Sequence, residues 1–275
     1  MQRRPLPQTH PQIEAAGNGG APAVSRAVAI LRLLGKSESP MSLTAIAEQL
    51  GLVPSSCLRL LRVLVAEELV AMDPARKHYR LDAGILPLAR SVLRPHNFAR
   101  LVQPALDRLS SLWPVTAVAV QAVSLDHMVV VAVSESSAPL RVHVEMGSRF
   151  PALMSATGRC VAAFSREPWS VIEAKFRAVQ WANPPTFRQW RTEVEAARAN
   201  RYSVDEGHYI AGVTVVSAAV LDAGEAMTHA VIVLGVSEQI ARPGVAAIAR
   251  ELRGIAAGFS AAPAVRQRMA SGTHA

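Results

Sequence analysis

Two serines and two arginines sit in one short run, SSCLRLLR, where Ser55, Ser56, Arg59 and Arg62 interrupt an apolar series that continues to Leu64. That series, Cys57, Leu60, Leu61 and Leu64, recurs at i, i+3, i+4 and i+7, which gives a helix one buried stripe. At about 100° per residue, Ser55, Arg59, Arg62 and Ala66 share the opposite face. Small hydroxyls, guanidinium forks and an alanine suit close approach to a DNA major groove. Arginine grips guanine O6 and N7 with two hydrogen bonds, and serine near a helix N-terminus helps fix a phosphate. The preceding run, LTAIAEQLGL, predicts a short supporting helix over residues 43–50, capped by Ser42 and ended at Gly51. Ala47 is small enough for a close helix crossing there, and glycine supplies the left-handed turn. Ser42 and Thr44, at the head of that helix, join the DNA-facing set. Next, LVAMDPARKHYRL places Asp73-Pro74 between two β-rich runs and predicts a hairpin whose Arg76, Lys77 and Arg80 contact phosphate. A plain helical hairpin with solvated arginines is the competing reading. It accounts less well for the basic hairpin and for the local charge excess.

A second group lies further on. Ser155, Ala156, Thr157, Gly158 and Arg159 open a predicted helix, whose first N–H groups attract carboxylates, although a plain N-cap explains the same residues. Asp205, at the end of a predicted strand before Gly207, is either a turn acid or a pocket residue. Cys160 with His208 as base would be an acyl-transfer pair only if the thiol were electropositive in surroundings and partly exposed, and an apolar helix offers the opposite. His127, His143 and His208 lack metal-ligand spacing. No catalytic residue, metal or cofactor is assigned.

Positioning these groups requires two domains, a fair expectation for 275 residues of which half are hydrophobic. The net charge of +8 is uneven: residues 1–100 carry 13 Lys/Arg against 7 Asp/Glu, a net +6. That basic third suits a polyanion. The two cysteines, Cys57 and Cys160, read as reduced core residues of a cytoplasmic protein. Apolar runs such as AGVTVVSAAVL fall short of the roughly 20 residues a membrane span needs. An amphipathic helix over residues 24–35, with Ser25 in capping position, completes a winged helix-turn-helix of three helices and a hairpin. Helix continues from 83 to about 113, broken near Arg94-Pro95. VTAVAVQAV, HMVVVAVSE and PLRVHVEMG then read as strands. Helices over 155–164, 169–179 and 187–200 precede the strands TVVSAAVL and HAVIVLGV and a last helix over 245–259. Strands, helices, strands and a helix describe an α+β domain with an antiparallel sheet. The expected division is a tail at 1–22, the winged domain at 23–82, a linker helix at 83–96, the sheet domain at 97–262 and a tail at 263–275. Trp113, Trp169, Trp181 and Trp190 are expected to fill cores or gaps beneath loops.

The sequence resembles the IclR family of bacterial transcription regulators. VSRAVAILRLL is similar to the family's first helix, LTAIAEQLGL and SSCLRLLRVL to its helix pair, and HYRLDAG to the strand leaving its wing. RFPALMSATGRCVAAF and YSVDEGHYIAGVTVVSAAV resemble segments around its effector pocket. The resemblance implies a winged helix-turn-helix joined by a linker helix to a GAF-like sensing domain. It further implies a double-stranded DNA operator bound by homodimers or homotetramers, and a small organic effector held near Ser155–Gly158, Asp205, Val215, Ile232 and Leu234. The family pattern has Pro at the position of Val53, acidic residues near Gly207 and His208, and serines near Ile232 and Leu234. Branched aliphatics in place of those serines favour an organic acid with an apolar or aromatic body over a two- or three-carbon keto acid. The rival is a metabolite-binding module or enzyme whose N-terminal domain mediates assembly.

Overall fold

A proline starts the first helix, α1 (Pro22–Lys36), because its fixed φ and missing N–H suit the first helical position. The cap is therefore Ala21, and Ser25, expected to cap, lies inside the helix. The computed structural model describes residues 21–90, 98–134 and 141–260. These fall into two compact units, one running to Arg90 and the other starting at Phe98. The residues of both expected tails up to 20 and from 263, and the expected break at Arg94-Pro95, lie outside the described residues.

In the first unit, α1 is followed by β1 (Met41–Ser42), α2 (Leu43–Gln49), α3 (Pro54–Ala66), β2 (Val70–Asp73), β3 (His78–Leu81) and α4 (Ile85–Ala89). Ser42 Oγ accepts the Ala45 N–H at 3.2 Å and so caps α2 as its position predicts. Gly51, at φ +62°, makes the left-handed turn, and the axes of α2 and α3 differ by 113°. That angle belongs to the helix-turn-helix range. α3 starts one residue before Ser55, with Pro54 in the first turn and Val53 as N-cap. Its stripe of Cys57, Leu61 and Leu64 is buried against Ile30, Leu34, Ile46, Val70 and Tyr79, with Leu60 half-buried at the margin. Each fully buried aliphatic side chain stabilises by about 1.5–3 kcal/mol. The strands form an antiparallel wing in the order β1-β3-β2, the short β1 being an addition to the expected hairpin.

The second unit contains α5 (Phe98–Leu112), β4 (Thr116–Ala122), β5 (His127–Val133), β6 (Arg149–Pro151), α6 (Ser155–Ala163), α7 (Trp169–Arg177) and α8 (Phe187–Asn200). It continues with β7 (Tyr202–Glu206), β8 (Val213–Leu221), β9 (Met227–Val236), α9 (Ser237–Ala241) and α10 (Val245–Phe259). Its six strands make one antiparallel sheet in the order β6-β5-β4-β9-β8-β7. Strand alternation sorts the side chains into two layers. Ala117, Ala119, Val216, Ala218, Val231 and Val233 pack under Val102, Leu106, Ile248 and Leu252 of α5 and α10. Val118, Val120, Val130, Ile232 and Leu234 face the other way. Beside them α6, α7 and α8 build a second core around Cys160, Phe176 and the fully buried Trp190; the other three tryptophans are half-buried. This is the α+β arrangement that the order of elements predicts and the GAF-like form that the resemblance implies.

One expected strand is absent. Within PLRVHVEMG, residues 139–140 lie outside the described residues and residues 141–147 join no ladder; β5 pairs instead with β6, just beyond. Val142 and Val144 pack on the sheet's face, and the Val142 carbonyl accepts from Thr116 Oγ1 at 2.8 Å. Alternation there marks which side chains are covered rather than a backbone in register. His229 stacks on Phe98 with ring centroids 4.2 Å apart, and burial pushes its pKa down to about 4, so at neutral pH it packs as an uncharged ring. Among the described residues no single helix is long and apolar enough to cross a membrane.

Candidate functional site

The exposed side of α3 carries Ser55, Arg59, Arg62 and Ala66, and Ser56 is half-buried at its border. The leucine stripe holds the helix from behind, so both guanidinium groups project from a packed support. Thr44 is exposed on α2, whereas the Ser42 oxygen is already engaged as a cap. At the wing, Asp73 Oδ1 accepts the N–H groups of Ala75 (2.9 Å) and Arg76 (3.3 Å), and its carbonyl accepts from Lys77 N–H at 2.8 Å. This turn presents Arg76 and Lys77 at an exposed tip, with Arg80 exposed on β3. An N-terminal helix pair and wing thus offer five exposed cations among the residues singled out from sequence.

The second unit holds a cavity on the sheet face opposite α5 and α10. Asp205 pairs across strands with Val215, and Val215 with Leu234, so the three form one transverse row; Val118 stands opposite Ile232. Ser155, Thr157, Asp205, Val215, Ile232 and Leu234 all line the cavity. Ala156 and Gly158 do not. Ala156 is fully buried, with its carbonyl accepting from Ser203 Oγ at 2.5 Å, and a Cβ at Gly158 would lie 2.1 Å from the Leu153 carbonyl oxygen. Val118, Val120, Met128, Val130, Phe150 and Tyr209 are among the further wall residues, none of them singled out from sequence. The strand residues among them carried a usable signal: they alternate in step with Ile232 and Leu234.

Polar chemistry collects at one end. Ser155 begins α6 at φ +54°, a left-handed conformation that costs a non-glycine residue roughly 1–3 kcal/mol. Its Oγ is buried without a hydrogen-bond partner, and the N–H groups of Ser155, Ala156 and Thr157 have no acceptor among the described residues. Below them lies Arg159, 1 % exposed, expected from sequence only as the fifth residue of this helix start. Its Nη1 donates to the Ser155 carbonyl at 2.9 Å and stands 4.0 Å from Asp205 Oδ1, while its Nε donates to Glu193 Oε2 at 2.6 Å. Asp205 Oδ1 accepts from the His208 N–H (3.0 Å) and lies 3.1 Å from His208 Nδ1; Oδ2 accepts from the Tyr209 N–H at 3.2 Å. The same Nδ1 also lies 3.4 Å from Arg159 Nη2, so it faces one group that only accepts and one that only donates. Asp205 is therefore both things the sequence allowed: a turn acid that fixes residues 206–209, and part of the cavity wall.

Cys160 faces Ser203 Oγ at 3.4 Å, and burial pushes its pKa up to about 11. A neutral, enclosed thiol is no nucleophile at neutral pH, and His208 is turned toward Asp205 and Arg159 instead. Among the described residues no group of His, Cys, Asp and Glu is placed to hold a metal ion.

Comparison with known proteins agrees with both units. The family described as "IclR helix-turn-helix domain" matches residues 23–74, and "Bacterial transcriptional regulator IclR C-terminal" matches residues 90–261. The HTH-type transcriptional repressor AllR of Escherichia coli (strain K12) is 25% identical over 232 residues, covering 83% of this chain and 85% of AllR. Among solved structures, an IclR transcriptional regulator from Alicyclobacillus acidocaldarius superposes with a TM-score of 0.73 at 25% identity, covering 88% of this chain and 98% of that one. The IclR of Thermotoga maritima gives a TM-score of 0.63 at 18% identity over 86% and 96% of the two chains, a likeness of fold. With a DNA-binding helix-turn-helix in front of an α+β domain and both family halves matched in order, this chain belongs to the IclR family of bacterial transcriptional regulators and is not an enzyme.

Proposed function

We propose that residues 23–82 read operator DNA, that 83–96 link them to 97–262, and that the cavity of the second unit binds a small organic acid that changes the protein's hold on the operator. Arg59 and Arg62 read bases, Ser55 and Ser56 sit beside them, and Ser42, Thr44, Arg76, Lys77 and Arg80 address the backbone. A single winged unit buries little surface, so a homodimer or homotetramer on a palindromic site supplies the tightness, and the effector alters the spacing of the DNA-reading heads. Arg62→Ala should weaken specific binding by about 1–3 kcal/mol and relax preference at one base pair. In the same anisotropy titrations, neutralising Arg76 and Lys77 should weaken specific and unrelated DNA alike and flatten the log–log salt slope by about 1 per lost phosphate contact. Parental binding by both Arg59→Ala and Arg62→Ala at matched salt would remove α3 as the reader.

The observation that carries the effector reading is the cavity itself, polar at the start of α6 and aliphatic along the Val215–Leu234 row. A carboxylate is received by the free N–H groups and by Ser155 Oγ, while Arg159 offsets the charge of Asp205 nearby. Val118, Val215, Ile232 and Leu234 offer no hydrogen bond, so polar ligand atoms against them would be desolvated without return. Calorimetry of the full chain should show benzoate-type acids binding at least about tenfold more tightly than pyruvate-type acids, the difference that burying part of a ring supplies. Leu234→Ser should narrow that gap. Preference of the parent for the small keto acids, or an unchanged gap in Leu234→Ser, would contradict this assignment.

A further inference from the structure

Within α3 the groups opposite the buried stripe are not all polar. Val63 is 58% exposed and lies outside the unit's core cluster. One turn beyond Arg59, it stands about 40° around the helix from that residue and about 60° from Ala66, at the edge of the face that carries Ser55 and Arg62. α3 contains no acidic residue. An exposed valine by itself carries no information. Here its position does, because a DNA major groove displays one apolar group to such a side chain, the 5-methyl of thymine.

We propose that Val63 is a specificity-determining residue of the recognition helix and reads a thymine methyl group about two base pairs from the base addressed by Arg59. The inference rests on α3 lying in the groove. Four residues of helix advance about 6 Å, against a rise of about 3.4 Å per base pair. The thymine therefore lies about two base pairs from the Arg59 contact. The C-terminal half of α3 discriminates T·A by shape and apolar contact, while the arginines discriminate by hydrogen bonds.

The test uses the full chain and a binding site selected from random duplex DNA, in which each thymine is replaced in turn by deoxyuridine. Uracil keeps every hydrogen-bonding group and loses only the methyl. In each half-site one replacement should weaken the parent roughly fourfold, the factor for burying about one such carbon. The same replacement should leave Val63→Ala unaffected. Alanine is the better helix former, so this variant folds and keeps its affinity for the uracil-bearing site. Val53→Ala, another exposed valine at the N-cap before α3, should retain the parent's full sensitivity to the methyl. If no thymine position shows a methyl effect that depends on residue 63, the proposal falls. Should Arg59→Ala and Arg62→Ala still lose binding in that case, the groove reading survives and only the methyl contact is lost.

Discussion

Arg159→Met should lower the stability of the second unit by about 3–5 kcal/mol, the loss that follows when one member of a buried charged network is deleted. Asp205 would be left in a site where it is 1% exposed, with two backbone N–H groups and an imidazole but no compensating cation. The Ser155 carbonyl would lose its donor at the residue with φ +54°. For a domain of this size each kcal/mol shifts Tm by about 2–4 °C, so thermal unfolding followed by circular dichroism should report a fall of roughly 6–20 °C. Glu193 is less affected, being 40% exposed and able to turn to water. Arg159→Met combined with Asp205→Asn should recover part of the loss, because the unpaired charge disappears with the pair. A Tm within about 2 °C of the parent for Arg159→Met would mean that the guanidinium is not what offsets Asp205.

Gly158→Ala should be nearly as damaging, for a steric reason. The added Cβ would stand 2.0 Å from the Leu153 carbonyl carbon and 2.6 Å from its Cα, and backbone cannot rotate aside as a side chain can. Overpacking of this kind costs about 1–3 kcal/mol and more where no rotamer relieves it. The relief available is a shift of α6 away from residues 153–155, which displaces the free N–H groups proposed to receive the effector. Loss of stability and loss of acid binding should therefore arrive together. Gly254→Ala, with open space about its Cβ in the middle of α10, is the control and should raise stability by up to about 1 kcal/mol. Stable Gly158→Ala protein with parental acid affinity would show that the start of α6 does not form the polar end.

Helical periodicity made most of the molecule legible. The stripe of α3, the cap at Ser42, the left-handed turn at Gly51 and the span of α10 each depend on residues within a few positions of one another. What depends on distant partners was not legible. Arg159 is buried because Glu193, Asp205 and His208 converge on it from α8, β7 and the following turn. Nothing within GRCVAAF announces that. Residues 141–147 misled because their alternation is real, yet a strand needs a neighbour's N–H and C=O groups in register, and Val142 is held by a threonine side chain instead. Ser25 misled through residue type alone, since Pro22 fixes the helix start three residues earlier. For the cavity, the family resemblance and not spacing grouped Asp205, Val215, Ile232 and Leu234. The strand order that brings Val118 and Val130 beside them is a tertiary property.

On the proposed function, an acid in the second unit governs DNA binding by the first. Anisotropy of a fluorescent selected operator, titrated with the full chain at fixed salt with and without saturating benzoate, tests it most directly. Coupling between sites of about 1–3 kcal/mol predicts that benzoate shifts operator affinity by 5- to 150-fold, that pyruvate at the same concentration shifts it far less, and that Gly158→Ala abolishes the shift. Operator affinity unchanged by either acid, or shifted by pyruvate alone, would contradict it.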